Sequence, residues 1–174
     1  MSASPQSPTP LSITLREITA ADIAILYQHQ LDPEGNEMAG TKPRPEEAFH
    51  AHWTRVRADP NIVARVIERD GVVVGGISCF VLDGAHHVGY WIARDLWGKG
   101  IASAALAMLL KQVGTRPLHA TTNRSNAPSM RILEKCGFRL TGFSQGEETD
   151  RFLPREIAHF ILDEPSAPVR GAFL

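Results

Sequence analysis

The sequence predicts an α+β fold, a mixed, mainly antiparallel twisted sheet with helices on both faces, and three observations carry that expectation. Asp70-Gly71 and Asp83-Gly84 each stand between apolar runs, the signature of tight β-hairpins. The stretch Tyr90 to Ser103, "YWIARDLWGKGIAS", places Gly98 and Gly100 between a strand-like run and a long apolar one. From Ile101 onward the apolar spacing takes on the 3.6-residue period of a helix, so a strand feeds a helix through a double glycine.

The elements follow in order. Residues 1–10, rich in Ser and Pro, have almost nothing to bury against the entropy of ordering and read as a disordered leader; a single domain spans residues 11–174. "SITLREIT" alternates like a strand, and Thr19 with Asp22 forms a capping-box pattern ahead of a helix "AADIAILYQHQ". "LDPEGNEMAGTKP" carries turn formers and no periodicity, which predicts a loop long enough to shape a pocket. Pro45 opens a second helix with Phe49, His52, Trp53 and Val56 on one face. "NIVARVIE", "VVVGGISCFVL" and "HHVGYWIA" are three successive antiparallel strands. Ile101, Ala105, Leu106, Leu109, Leu110 and Val113 line one face of the next helix, which ends near Gly114 and Pro117. "LHATT" is a strand; Asn126 caps a helix "APSMRILEKC", with Pro128 in its first turn and Gly137 past its end. "FRLTGF" and "REIAHFIL" are the closing strands, and there is no internal repeat.

Composition narrows the function. With 174 residues, 43% of them hydrophobic, the chain has length for one real core. A net charge of -1 with no basic stripe argues against nucleic acid as a main partner. No run is apolar for long enough to make a signal-peptide core or cross a bilayer, so a cytoplasmic protein without a membrane partner is expected. Cys79 and Cys136 fit neither a CxxC pair nor zinc-ligand spacing; reduced, packed thiols and no metal are expected.

The double glycine has a physical use. A helix N-terminus leaves backbone N–H groups unpaired and carries about half a positive charge. Bare positions at Gly98 and Gly100, with small Ala102 behind them, let a pyrophosphate approach the amides of residues 98 to 103. A lone GxG also serves simply to turn a chain. A dinucleotide fingerprint needs a third glycine where Ser103 stands and an acid about 20 positions on; a P-loop needs Gly-Lys-Ser/Thr, whereas Lys99 precedes Gly100.

"GYWIARDLWGKGIASAALAMLL" followed by "ATTNRSNAPSMRILEKCGF" resembles the two core motifs of the GNAT-type N-acetyltransferases, and "WGKGIA" with "NAPS…LEKCGF" resembles the branch that includes ribosomal-protein N-terminal acetyltransferases. The resemblance implies a GNAT-like fold, splayed between the "HHVGYWIA" and "LHATT" strands, with acetyl-CoA as co-substrate in the splay. It implies that Tyr90, Trp91 and Ile92 offer backbone groups to the pantetheine arm. Gly98, Lys99, Gly100, Ile101, Ala102 and Ser103 would cradle the pyrophosphate, and Asn126 would bond the pantetheine. Two positions depart from the pattern: Trp97 replaces an Arg or Gln, and Leu133 replaces the tyrosine proposed as general acid. The implied activity is transfer of an acetyl group to a primary amine, a protein N-terminus or a small molecule, by direct attack in a ternary complex. The departure at Leu133 leaves open a catalytically inactive CoA-binding regulatory module, and the bare fold leaves open an interaction protein. A homodimer is also open.

Attack on a thioester needs a neutral amine, a stabilised oxyanion and help for the leaving thiolate. A chain N-terminus is roughly a third neutral near pH 7.5, a lysine only about one part in a thousand. His87, on the strand entering the cofactor motif, is the candidate base, equally readable as a packed strand histidine; His86 points to the other face. Ser129 is the candidate donor to the coenzyme sulfur, or else a first-turn cap, and the Ile92 N–H is the candidate oxyanion donor. Cys136 reads as core packing beside Gly137 rather than as a nucleophile. Phe49 and Trp53 either roof the acceptor pocket or belong to the core. Glu34 and Glu37 would suit a cationic acceptor, Arg151 and Arg155 an anionic one, and the sequence does not choose.

Overall fold

A computed structural model describes residues 12–163, which leaves the predicted leader and the last eleven residues outside the described part. The strands are β1 Ile13–Glu17, β2 Val63–Arg69, β3 Val72–Leu82, β4 Ala85–Ile92, β5 Leu118–Asn123, β6 Arg139–Gln145 and β7 Glu156–Leu162. The helices are α1 Ala20–Gln30, α2 Pro33–Ala39, α3 Glu46–Ala58, α4 Ile101–Gln112 and α5 Ala127–Lys135, with a 3-10 turn at Arg94–Leu96. The seven strands form one sheet in the order β1-β2-β3-β4-β5-β7-β6, antiparallel throughout except where β4 meets β5. The mixed, mainly antiparallel α+β arrangement is the one expected.

The local causes are those legible in the chain. Asp70 and Gly71, and Asp83 and Gly84, all have positive φ, the twist that closes a two-residue hairpin without splaying its strands. At α1 the Asp22 carboxylate accepts from the Thr19 N–H at 2.7 Å and the Thr19 hydroxyl at 2.8 Å, joining cap to first turn. Asn126 caps α5 through its side-chain oxygen, 3.2 Å from the Ser129 nitrogen.

One expectation is corrected. The stretch read as a loop contains α2, started by the Asp32 carboxylate 2.6 Å from the Gly35 nitrogen and by Pro33, and ended by Gly40 in the left-handed region. Its seven residues are too few for a hydrophobic period to show.

The core has two parts. Ile101, Ala105, Leu106 and Leu109 of α4 press with Leu133 and Phe138 onto one face of the sheet, against Ile77, Val88, Leu118 and Phe160. On the other face Ile23 and Leu26 of α1 and Phe49 of α3 cover Val66 and Val73, with Trp53 and Val56 packed alongside. Helices on opposite faces leave the β4–β5 junction as the place where the sheet can open.

Candidate active site

β4 and β5 run parallel and register at a single pair, His87 with His119. Beyond it they part, and a cleft of about 550 Å³ fills the gap. Tyr90, Trp91 and Ile92 line it from β4, Gly98, Gly100, Ile101, Ala102 and Ser103 from the turn and the start of α4, and Asn126 and Ser129 from α5. Of the residues expected to hold a coenzyme, Lys99 alone stays out of the lining.

The strand geometry aims β4 into this gap. The Ala93 N–H donates to the Val74 carbonyl at 2.9 Å, so Ala93 and Val74 are a hydrogen-bonded pair and their neighbours Ile92 and Gly75 are not. The backbone groups of Ile92 and, two residues back, Tyr90 therefore turn away from β3 toward the opening. The Ile92 carbonyl is taken by the Trp97 indole N–H at 2.9 Å, which ties the turn to the end of β4 and leaves the Ile92 N–H facing the cleft. Gly98 and Gly100 have φ of 72° and 77°, the left-handed region that favours glycine, and a side chain at Gly98 would project into open space. A bare turn running into the first amides of α4 suits a phosphate, as its sequence suggested.

Across the cleft, the Tyr90 hydroxyl stands 2.8 Å from Ser129 Oγ. Burial pushes the Tyr90 phenol up to about 12, with the Ser129 hydrogen bond pulling the other way, so it keeps its proton. Ser129 is not the cap of α5, since Asn126 Oδ1 performs that role. Asn126 Nδ2 has no partner among the described residues and is free for a ligand carbonyl. Leu133, where a tyrosine was expected, is buried in the core. Arg131 and Lys135, four residues apart on α5, also line the cleft, and their i, i+4 spacing is the signal for them in the sequence. From α2, Gly35 packs under Trp91, where an ideal Cβ would stand only 2.9 Å from Cζ2 of the indole.

A second, smaller cavity of about 150 Å³ shares Gly89, Tyr90 and Trp91 with the cleft. Phe49 and Trp53 line it and also pack in the core, which reconciles their two readings. Arg44, His52 and Arg151 line it too. Burial and the neighbouring arginines bring His52 down to about 4. Glu34 and Glu37 are paired, to Arg94 at 2.7 Å and to Arg155 at 2.5 Å. His87 lines neither cavity: its ring stacks on Phe80, with centroids 5.9 Å apart, and lies against His119 at 5.3 Å, at the closed end of the splay. Cys79 is buried and Cys136 half-buried, both as free thiols raised by burial, the state of packed rather than nucleophilic cysteines. Among the described residues there is no cluster able to hold a metal, and no helix is long and apolar enough to cross a membrane.

A mixed sheet splayed at its central parallel pair, over a glycine-turned helix N-terminus, is the frame of an N-acetyltransferase. Residues 12–139 match the model of the acetyltransferase (GNAT) domain, and the chain belongs to that family. It is 23% identical over 149 residues to the uncharacterized N-acetyltransferase p20 of Bacillus licheniformis, covering 78% of this chain and 84% of the relative. The structure of Mycobacterium smegmatis RimJ in complex with CoA-disulfide superposes with a TM-score of 0.72 at 26% identity, over 90% of this chain and 84% of that one. RimL, a ribosomal L7/L12 alpha-N-protein acetyltransferase solved with coenzyme A, superposes with a TM-score of 0.70 at 16% identity, over 94% of this chain and 98% of that one.

Proposed function

We propose that the protein transfers the acetyl group of acetyl-CoA to a primary amine by direct attack in a ternary complex. The observation that carries the reading is one cleft joining the glycine-turned start of α4, the inward Ile92 N–H and the Tyr90–Ser129 pair, with a second cavity that shares Gly89, Tyr90 and Trp91 with it. The CoA-disulfide seen with RimJ and the coenzyme A seen with RimL support the choice of donor.

In this reading the amides of residues 98 to 103 hold the pyrophosphate, and Arg131 and Lys135 add positive charge beside the phosphates. Tyr90 and Ile92 backbone groups and Asn126 Nδ2 align the pantetheine. The Ile92 N–H donates to the thioester oxygen and strengthens that bond as the oxyanion develops. The amine enters from the smaller cavity; its nitrogen lone pair bonds to the carbonyl carbon, the C–S bond breaks with its electron pair leaving on sulfur, and the proton lost by the nitrogen passes to water. The Tyr90 phenol, held protonated, donates to Ser129 Oγ, which frees the serine hydrogen for the departing thiolate. His87 is outside both cavities, so the mechanism assigns it no proton transfer and relies on the fraction of amine that arrives neutral. Two free cysteines suit a reducing cytoplasm as the setting.

The test is release of free thiol on mixing the protein, acetyl-CoA and a panel of amines. Binding of acetyl-CoA by calorimetry with no thiol released against any amine would refute the transferase reading and leave a coenzyme-binding protein.

A further inference from the structure

The smaller cavity is a pocket of unbalanced positive charge. Arg44 and Arg151 line it beside a neutral His52, and no Asp or Glu does. Other arginines have carboxylate partners: Arg16 pairs with the buried Asp22 and with Glu68, Arg69 with Asp70, Arg94 with Asp32 and Glu34, Arg124 with Glu156, Arg139 with Asp163, and Arg155 with Glu37. Arg44 and Arg151 have no carboxylate partner among the described residues, although both are partly withdrawn from water. Desolvation leads in lowering both guanidiniums, Arg151 to about 10, and Arg55 adds repulsion on Arg44 as Arg44 does on Arg151. Unpaired charge held out of solvent is costly unless a counter-charge arrives.

The pocket is also built. Gln30, buried at the end of α1, gives both halves of its amide to the Arg44 backbone: Nε2 donates to the carbonyl at 2.9 Å and Oε1 accepts from the N–H at 2.9 Å. Arg151 is brought in from the β6–β7 connection, where the Lys42 N–H donates to its carbonyl at 2.7 Å, the Leu153 N–H donates to the Gly40 carbonyl at 2.8 Å, and Phe152 bridges Thr41. One Arg151 guanidinium nitrogen donates to the Lys42 carbonyl, which aims the group without neutralising it. Both cations thus converge on a small space whose far wall is the β4 segment bordering the coenzyme cleft.

We propose that the acceptor is a primary amine whose own molecule carries a carboxylate close to the amine, the carboxylate held between Arg44 and Arg151. This rests on the transferase reading above. A planar guanidinium matches a carboxylate in two parallel hydrogen bonds, and two of them fix the molecule's orientation against Tyr90 and Trp91. The same cations disfavour an ammonium beside them, which raises the neutral, nucleophilic fraction of the amine in a site with no base. A polyamine finds the reverse: its charge meets arginines, and Glu34 and Glu37, which line neither cavity, are already paired. The carboxylate belongs either to a free amino acid or to an acidic first residue of a peptide, and the two sources share this chemistry.

The experiment compares thiol release with glutamate, aspartate and glycine, with their carboxamides, with peptides beginning Asp or Asn, and with spermidine. Carboxylate-bearing amines are expected to exceed their amides in kcat/KM by about 10²-fold, the scale of a close desolvated charge pair. Arg44→Gln and Arg151→Gln should erase most of that preference through KM, Arg151→Lys should keep part of it, and acetyl-CoA affinity measured by calorimetry should stay within about twofold. Activity with the Asp peptide and not the free acids assigns the carboxylate to a peptide; the converse assigns it to an amino acid. Amides or spermidine serving as well as the acids, or a preference untouched in either Gln variant, overturns the proposal. A second readout needs no turnover: the N-acetylated acids, titrated onto the protein with coenzyme A present, should bind the parent and not Arg44→Gln. Absence of such binding to the parent overturns the anion site, whereas binding without thiol release from any amine refutes the transferase reading and leaves the anion site standing.

Discussion

The hydroxyls of Tyr90 and Ser129 meet at 2.8 Å across the cleft between β4 and α5. Two hydroxyls in that relation act as one donor chain, so their removal should not be additive. Tyr90→Phe is expected to lower kcat about tenfold and Ser129→Ala somewhat more, with little change in the KM for acetyl-CoA, because a hydrogen bond to sulfur strengthens only as the thiolate forms. The double variant should resemble Ser129→Ala alone. Since the α5 cap is Asn126 Oδ1 to the Ser129 N–H, which alanine retains, the melting temperature of Ser129→Ala should stay close to that of the parent. Initial rates and thermal melts on the four proteins decide this; a large loss of stability with kcat intact would return Ser129 to a structural role.

The coenzyme site makes a separate prediction. Gly100 has φ of 77° and opens into the cleft, so Gly100→Glu places strain, bulk and negative charge where the pyrophosphate is expected. Acetyl-CoA affinity should fall by 10²-fold or more in calorimetry. Lys135→Gln should weaken it less, about fivefold, and that effect should shrink at high salt because the group is exposed. Unchanged affinity in Gly100→Glu would place the coenzyme elsewhere.

The backbone of this site was legible in the chain because glycine, hairpin and capping signals are local. Asp70-Gly71 and Asp83-Gly84 fixed three strands, and the Gly98–Gly100 pair located the turn. What was not legible depends on contacts distant in sequence. Tyr90 and Ser129 are 39 residues apart, and no spacing rule connects a strand residue to one on a later helix. Arg44 and Arg151 converge only because the Gly40–Lys42 and Arg151–Leu153 backbones bond across the molecule. The His87 expectation followed its place on the strand entering the cofactor motif, with strand alternation separating it from His86; these give a side chain's face and not its distance along the splay, and the His87–His119 pairing puts it at the closed end.

That placement yields a pH prediction. Burial, and after it the neighbouring His119, lowers the His87 pKa, so the ring is neutral across the working range and contacts no cavity that holds the amine. The ascending limb of kcat/KM with pH should therefore follow the acceptor amine, shifting when one amine is exchanged for another of different pKa. His87→Ala should leave that limb in place and change kcat/KM by less than about threefold. A flattened limb in His87→Ala, with the amine held constant, would make His87 the base acting through water.

The last prediction concerns stability at the start of α1. The buried Asp22 carboxylate accepts two hydrogen bonds from the Arg16 guanidinium, at 2.7 and 2.9 Å, and two more from Thr19. The Arg16 hydrogen bonds, then those from Thr19, outweigh burial and hold the Asp22 pKa well below the usual carboxylate range. A carboxyl group depressed on folding contributes stability that is complete above its unfolded pKa, near 4, and is lost as pH falls below that toward the folded value. Arg16 is 38% exposed, so solvent screens much of the pair, and Asp22→Asn is expected to cost about 2 kcal/mol at pH 7, the scale of one charge-assisted hydrogen bond. Urea unfolding followed from pH 7 to pH 3 should show the parent and Asp22→Asn separated by a constant gap down to about pH 5 and converging below pH 4. A gap that persists undiminished at pH 3 would mean that Asp22 acts through packing and capping alone, with no contribution from its charge.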